Sequence, residues 1–310
     1  LVRRYLPPLD RLILACIAFI MLEGGVALLI NHGYFQYPYS VYTPMPWLAL
    51  CPAVILVYAI SQYARFRKVS YDIAAFTRCY ALYYFMTLAM SIQVTGIQTS
   101  PLPVIDLALG NLDLFFGVNT VSLLAWLSHH HTLRIIFSLG YIGISAQLIV
   151  LPFLLLSLKE YVQVDVYILA LCIATAIGGA IYYFFPTAAP ASIYHSPYFI
   201  RFEHATALKF YQIHHYIQPT TKEGGMIAFP SFHVTWAVIF TVIASIRRWV
   251  FYPVLLLNII GILSTVFLGW HYVSDVLAGG VIGLFSVFLG MWFVKKYDRS
   301  HEYRDGSHQA

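Results

Sequence analysis

Apolar residues run in unbroken stretches along most of this chain; they neither alternate nor keep to one face of a helix. A stretch of about 20 residues, rising ~1.5 Å per residue as a helix, reaches across a ~30 Å hydrocarbon core. Eight such spans are predicted, at Leu12–Asn31, Pro46–Ala64, Cys79–Gly96, Ile135–Leu158, Val164–Phe185, Ser231–Ile246, Trp249–Trp270 and Val276–Val294, with six to eight as the working range. The expected fold is all-α, a polytopic membrane helical bundle. A porin-like barrel is disfavoured, because it would show short alternating segments. Composition agrees: of 310 residues 60% are hydrophobic, 17% aromatic and 10% charged, with mean hydropathy +0.74. A soluble domain carries roughly a quarter charged residues.

The sparse charges carry the topology. If all eight spans cross, both termini share one side, and fifteen of the 18 Lys and Arg residues fall there, or fourteen if Arg134, at the edge of the fourth span, is placed opposite. The positive-inside rule then puts the termini in the cytoplasm. Arg201, Lys209 and Lys222 lie on the other side, in the long segment Pro186–Pro230, expected to be extracytoplasmic. Anion binding is one reason for cations there; the weak hold of the rule on long loops is another. The net charge of +5 points to anionic lipid and not to nucleic acid, because the cations sit at the ends of apolar runs. The chain opens on Leu1 instead of Met, as a trimmed sequence would, and its first apolar run is too long for a signal-peptide core.

Pro101–Thr132 is neither clearly a span nor clearly soluble. Asp106, Gly110, Asp113 and Gly117 make one narrow polar or small stripe on a helix, which suits an interfacial or re-entrant element. His129, His130 and His131 point in different directions and read as a wet interfacial patch, with no metal site expected. Cys16, Cys51, Cys79 and Cys172 all fall inside apolar runs and read as small buried residues, not a disulfide framework.

Chemistry concentrates in two clusters, Phe229-Pro230-Ser231-Phe232-His233 opening the sixth span and His271-Tyr272-Val273-Ser274-Asp275 just before the eighth. The 37 residues between His233 and His271 hold two apolar runs, so two crossings return the chain to the side it left. His233, His271 and Asp275 are therefore expected at one membrane face, that of the Pro186–Pro230 loop. Asp275 lies one helical turn after His271 and can accept a proton from one imidazole nitrogen, leaving the other free to attack. Pro230 suits a first helical turn, and Ser231 can offer hydroxyl and backbone donors beside His233, where a helix start favours an anion such as phosphate. Each signal alone also has a structural reading as a cap, an interfacial histidine or a local hydrogen bond. Glu23, beside Gly24-Gly25, is the clear midspan acid and reads as packed or protonated.

Pro230-Ser231-Phe232-His233 resembles the Pro-Ser-Gly-His motif of the type 2 phosphatidic acid phosphatase superfamily, and Ser264, His271 and Asp275 match the spacing of its last motif. Phe-Pro-Ser-Phe-His-Val with His-Tyr-x-x-Asp-Val, and Pro186-Thr187-Ala188-Ala189-Pro190, are closer to the inositol phosphorylceramide synthase branch, with similarity to sphingomyelin synthases in the second motif. The resemblance covers about Val164–Val294. Two departures stand out. The superfamily's first motif, a Lys with Arg-Pro seven residues later, is absent from the Pro186–Pro230 loop, and Thr265 occupies the place of the last motif's Arg. Arg201, Lys209 and Lys222 are the local candidates for the phosphate-binding cations, each with an equal reading as a solvated loop charge.

The resemblance implies a six-helix core and a metal-free mechanism in which His271 attacks phosphorus, Asp275 orients it and His233 serves the leaving and entering oxygens. The organisation expected is an N-terminal membrane part with an interfacial helix over 1–133, a catalytic core over 134–296 and a cytoplasmic polar tail over 297–310. The expected function is transfer of a phospho-head group between membrane lipids at the outer face, through a phosphohistidine and without a cofactor. A lipid phosphate phosphatase, with water as acceptor, is the alternative; a non-enzymatic lipid-binding or transport protein is the second.

Overall fold

The structure is a computed structural model that describes residues 8–34, 48–67, 69–221 and 228–306. Among these residues helix is the regular structure throughout, as a chain immersed in hydrocarbon requires, because a helix pairs its own backbone polar groups. The α-helices are α1 (Pro8–Leu29), α2 (Cys51–Phe66), α3 (Tyr71–Ile97), α4 (Asp106–Phe115), α5 (Thr120–Ser128), α6 (His131–Ser157), α7 (Tyr161–Phe184), α8 (Arg201–His214), α9 (Phe232–Ala244), α10 (Arg248–Phe267) and α11 (Val273–Gly306).

Five helical spans, Pro8–Gly33, His131–Ser157, Tyr161–Phe184, Arg248–Phe267 and Val273–Tyr297, are long and apolar enough to cross a membrane. The pair α4 and α5, bent by 75°, makes a sixth if it counts as one broken span, and its shape equally fits a re-entrant loop. The remaining three segments expected to span are also helical. At 16 residues α2 is short, α9 has 13, and the 27 residues of α3 are diluted by tyrosines, Gln93 and Thr95. The bend between α4 and α5 falls at Gly117, whose φ of 79° suits a residue without Cβ, and Asn119 then caps α5 by accepting from Ser122 N.

The most buried helix is α7, which packs against α1, α3, α9 and α11. Apolar residues at the bundle's outer surface, such as Leu29, Leu139, Leu256 and Val281, remain exposed, as expected where the solvent is lipid. Cys79 and Cys172 are buried, Cys16 and Cys51 half-buried, and none is in a disulfide.

The helices α1–α3, α6, α7 and α9–α11 run between two ends of the bundle. At one end the start of α1, the end of α2, the starts of α3 and α7 and the far part of α11 surround a cavity of about 220 Å³ whose walls include Asp10, Arg65, Arg78 and Asp165. There Arg78 bridges Asp10 and Asp165, at 2.5 and 2.6 Å, and Tyr58 donates to Asp10. Lys159 pairs with Asp72 and Arg247 with Glu160 at the same end. The start of α1 and the later part of α11 meet here, since Leu9 and Asp10 share the cavity wall with Val294 and Tyr297. The other end gathers the close of α3 and α7, the start of α6, α8 and the segments that open α9 and α11.

Candidate active site

The site is assembled by three helix ends. The first end is that of α10. After Phe267 and Leu268 the chain turns at Gly269, φ 78°, with Gly269 N donating to Val266 O and Trp270 N to Thr265 O. This is a Schellman motif, and the positive φ is why glycine stands there. His271 N also donates to Thr265 O at 3.0 Å, so the imidazole leaves a fixed backbone turn.

The second end is the start of α11. Asp275 lies in its first turn and reaches back, its Oδ2 accepting from Tyr272 N at 3.0 Å, the acidic half of a capping box. The same oxygen lies 3.2 Å from His271 Nδ1. The helix start thus holds the carboxylate, and the carboxylate holds the imidazole. Asp113 Oδ2 accepts from Val273 N, while Asp106 accepts from Ala188 N and from Tyr272 OH. The polar stripe of α4 is therefore the brace that ties the Pro186–Pro190 segment to the opening of α11.

The third end is the start of α9, where Ser231 is the N-cap and Pro230 precedes it, two positions before the first helical residue, Phe232, and so outside the first turn. Ser231 is fully buried: its Oγ accepts from Val234 N and its N–H donates to Asp275 O. Its hydroxyl and amide thus join the two motifs to each other. α9 and α11 approach closely at Gly279, where a Cβ would come within 2.4 Å of Ser231 O. Small residues allow such helix contact in membranes.

This packing sets His233 beside His271, with ring centroids 5.9 Å apart. His233 stacks on Tyr141 at 4.2 Å, Tyr141 stacks in turn on Trp270, and Ser145 Oγ lies 3.3 Å from His233 Nε2. Both histidines line one cavity of about 280 Å³, otherwise mostly apolar, with walls that include Met90, Phe210, Phe232 and Trp236. His271 is 3% exposed, and burial pushes its imidazole down to about 4, against a backbone interaction with Ala228. At neutral pH it is therefore unprotonated, the form a nucleophile needs.

The structure brings His233, His271, Asp275 and Ser231 together as the sequence expected. Neither of the two described cation candidates, Arg201 and Lys209, lines this cavity. Arg201 is exposed at the start of α8. Lys209 is buried on α8, one turn from Thr206, which lines the cavity, and burial pushes its ammonium down to about 8. Lys222 lies outside the described residues. Among the described residues no Lys or Arg lines the cavity that holds both histidines. Sequence reasoning missed Tyr141, Ser145 and Trp270. Tyr141 and Ser145 are one turn apart on α6, so a polar pair inside an apolar run was the available signal. It also missed Arg134, which lines a neighbouring chamber described below.

The family model described as the PAP2 superfamily matches residues 107–289, more than half of the chain and all three helix ends that build the site. No curated protein and no solved structure matches.

Proposed function

The chain belongs to the PAP2 superfamily, which makes it a lipid phosphoester enzyme of the phosphatase or phosphotransferase type, and from that premise we propose that it transfers a phospho-head group between membrane lipids. The observation that carries this reading is the pair of imidazoles in one apolar cavity, with Asp275 Oδ2 on His271 Nδ1. The free nitrogen of His271 attacks phosphorus and the bond from phosphorus to the lipid oxygen breaks. His233, which takes up a proton when the phosphate anion is bound beside it, gives that proton to the leaving oxygen, and a phosphohistidine remains. A second hydroxyl then attacks phosphorus, His233 takes its proton, and the nitrogen–phosphorus bond breaks. Asp275 keeps the tautomer that leaves the attacking nitrogen bare.

Two features support a lipid acceptor. The walls around the histidines are mainly apolar, and Thr265 stands where the superfamily's last motif has Arg, as in the inositol phosphorylceramide synthase branch. For orientation we propose that the charged end, with Arg65, Arg78, Arg247, the start of α1 and the later part of α11, faces the cytoplasm and the histidine end faces outward.

Product identity tests the reading. The purified protein is incubated with phosphatidic acid, phosphatidylethanolamine or phosphatidylinositol, with and without ceramide or diacylglycerol. A new phospholipid is expected. A water-soluble phosphate as the main product under all conditions would make the enzyme a hydrolase, and tight binding without turnover would make it a binding or transport protein.

A further inference from the structure

A second chamber adjoins the one that holds both histidines. It is larger, about 540 Å³, within the ~300–1,000 Å³ typical of small-molecule sites. The two chambers share Tyr141, His233 and Trp270, and only the smaller one is lined by His271. The stack of His233, Tyr141 and Trp270 is thus a partition whose three members line both chambers.

That asymmetry matches the two halves of the reaction proposed above, on which this inference rests. The phosphorus must meet both the nucleophile and the acid–base group. The alcohol must meet the acid–base group alone, as a leaving oxygen in the first step and an attacking one in the second. A chamber that offers His233 without His271 has what the alcohol needs.

The wall carries two further observations. Ile142 and Phe202, 62% and 50% exposed at the outer surface, belong to it, so the chamber lies against the lipid side between α6 and α8. Glu203 also lines it, is 2% exposed, and uses Oε2 to accept from Ile200 N, while its buried Oε1 has no hydrogen-bond partner. Burial pushes this carboxyl up to about 8, with the Ile200 amide and Arg134 acting the other way, so at neutral pH it is mostly protonated and can both donate and accept.

We propose that the larger chamber is the alcohol site, holding a long-chain lipid alcohol whose polar end hydrogen-bonds to Glu203 and whose hydroxyl meets His233 in the wall that the two chambers share. The chains lie against Leu124, Leu127 and Leu268 and enter from the bilayer past Ile142 and Phe202. Glu203 binds and positions; it takes no proton from the reacting hydroxyl.

The test uses the full chain in nanodiscs with phosphatidylethanolamine as donor and ceramide as acceptor, reading the ratio of ceramide product to water-soluble phosphate product. Ser138→Phe, which fills the chamber from α6, and Glu203→Leu should each lower that ratio at least tenfold. Glu203→Gln, which keeps a neutral hydrogen-bonding group, should return it to within about threefold of wild type. Ratios within twofold of wild type in both Ser138→Phe and Glu203→Leu would overturn the alcohol site while leaving the enzyme reading intact. A wild-type protein with no turnover would overturn the function reading, and this inference with it.

Discussion

The two ends of the bundle each bury ionisable side chains around a cavity, and they do so differently. At the charged end Arg78 spans Asp10 and Asp165, Tyr58 adds a donor, and opposite charges face one another within bonding distance. At the histidine end His271 shares one carboxylate oxygen with a backbone amide, Asp275 Oδ1 is buried without a hydrogen-bond partner, and His233 rests on an aromatic ring and a serine. Burying charge costs free energy unless it is paired, so the first arrangement is a clamp that closes on itself. The second leaves its capacity open toward an apolar cavity, which is how a protein keeps groups available for a substrate. A cavity with charged walls is thus a weak guide to chemistry; incomplete pairing is the better one.

Substitutions should separate the two ends. His271→Ala should lower turnover of a lipid phosphoester by more than about 10⁴-fold, and His233→Ala by about 10²–10⁴-fold, the usual worth of a nucleophile and of a positioned acid–base group. Both variants should unfold at nearly the wild-type temperature, and full activity in either would erase the contrast. Arg78→Ala should do the reverse. Left with two uncompensated carboxylates, the fold should lose about 3–5 kcal/mol, seen as a lower melting temperature in detergent, while the activity of the remaining folded protein persists. Adding Asp10→Asn and Asp165→Asn should recover part of that loss. A smaller effect is expected from pH: because burial holds His271 near 4 instead of ~6.5, kcat/KM for a phosphodiester lipid should fall only as pH drops through about 4. An acidic limb near 6.5 would mean that His271 is solvated.

Much of this contrast was legible beforehand. The apolar runs located helical segments because a bilayer tolerates little else, five of the eight being long and apolar enough to cross a membrane, and their parity placed His233 and His271 at one end. The spacing of His271 and Asp275 foretold their contact because one helical turn brings such residues together. Boundaries were less accurate. α3 begins at Tyr71, eight residues before its apolar stretch, because Ser70 accepts from Ile73 N and caps it. The stripe of Asp106 and Asp113 was visible, but its purpose was not, since Ala188, Tyr272 and Val273 are distant in sequence. Tyr141, Ser145 and Trp270 were hidden for the same reason: a stacked partition depends on how α6 packs against α9 and α10, which no local pattern encodes. Lys209 shares a segment with the site, and its neighbour Thr206, one turn away on α8, lines the cavity while Lys209 does not, a distinction that depends on how α8 packs and not on local sequence.

Trapping the intermediate tests the central claim most directly. The purified protein is mixed with a lipid donor carrying ³²P in its phosphoryl group and quenched without acid, and the label is mapped by peptide mass spectrometry. Phosphoryl on His271 is expected, absent from the His271→Ala variant and accumulating in His233→Ala when acceptor is withheld. Product formation with no label on His271, or with label on another residue, would contradict the account.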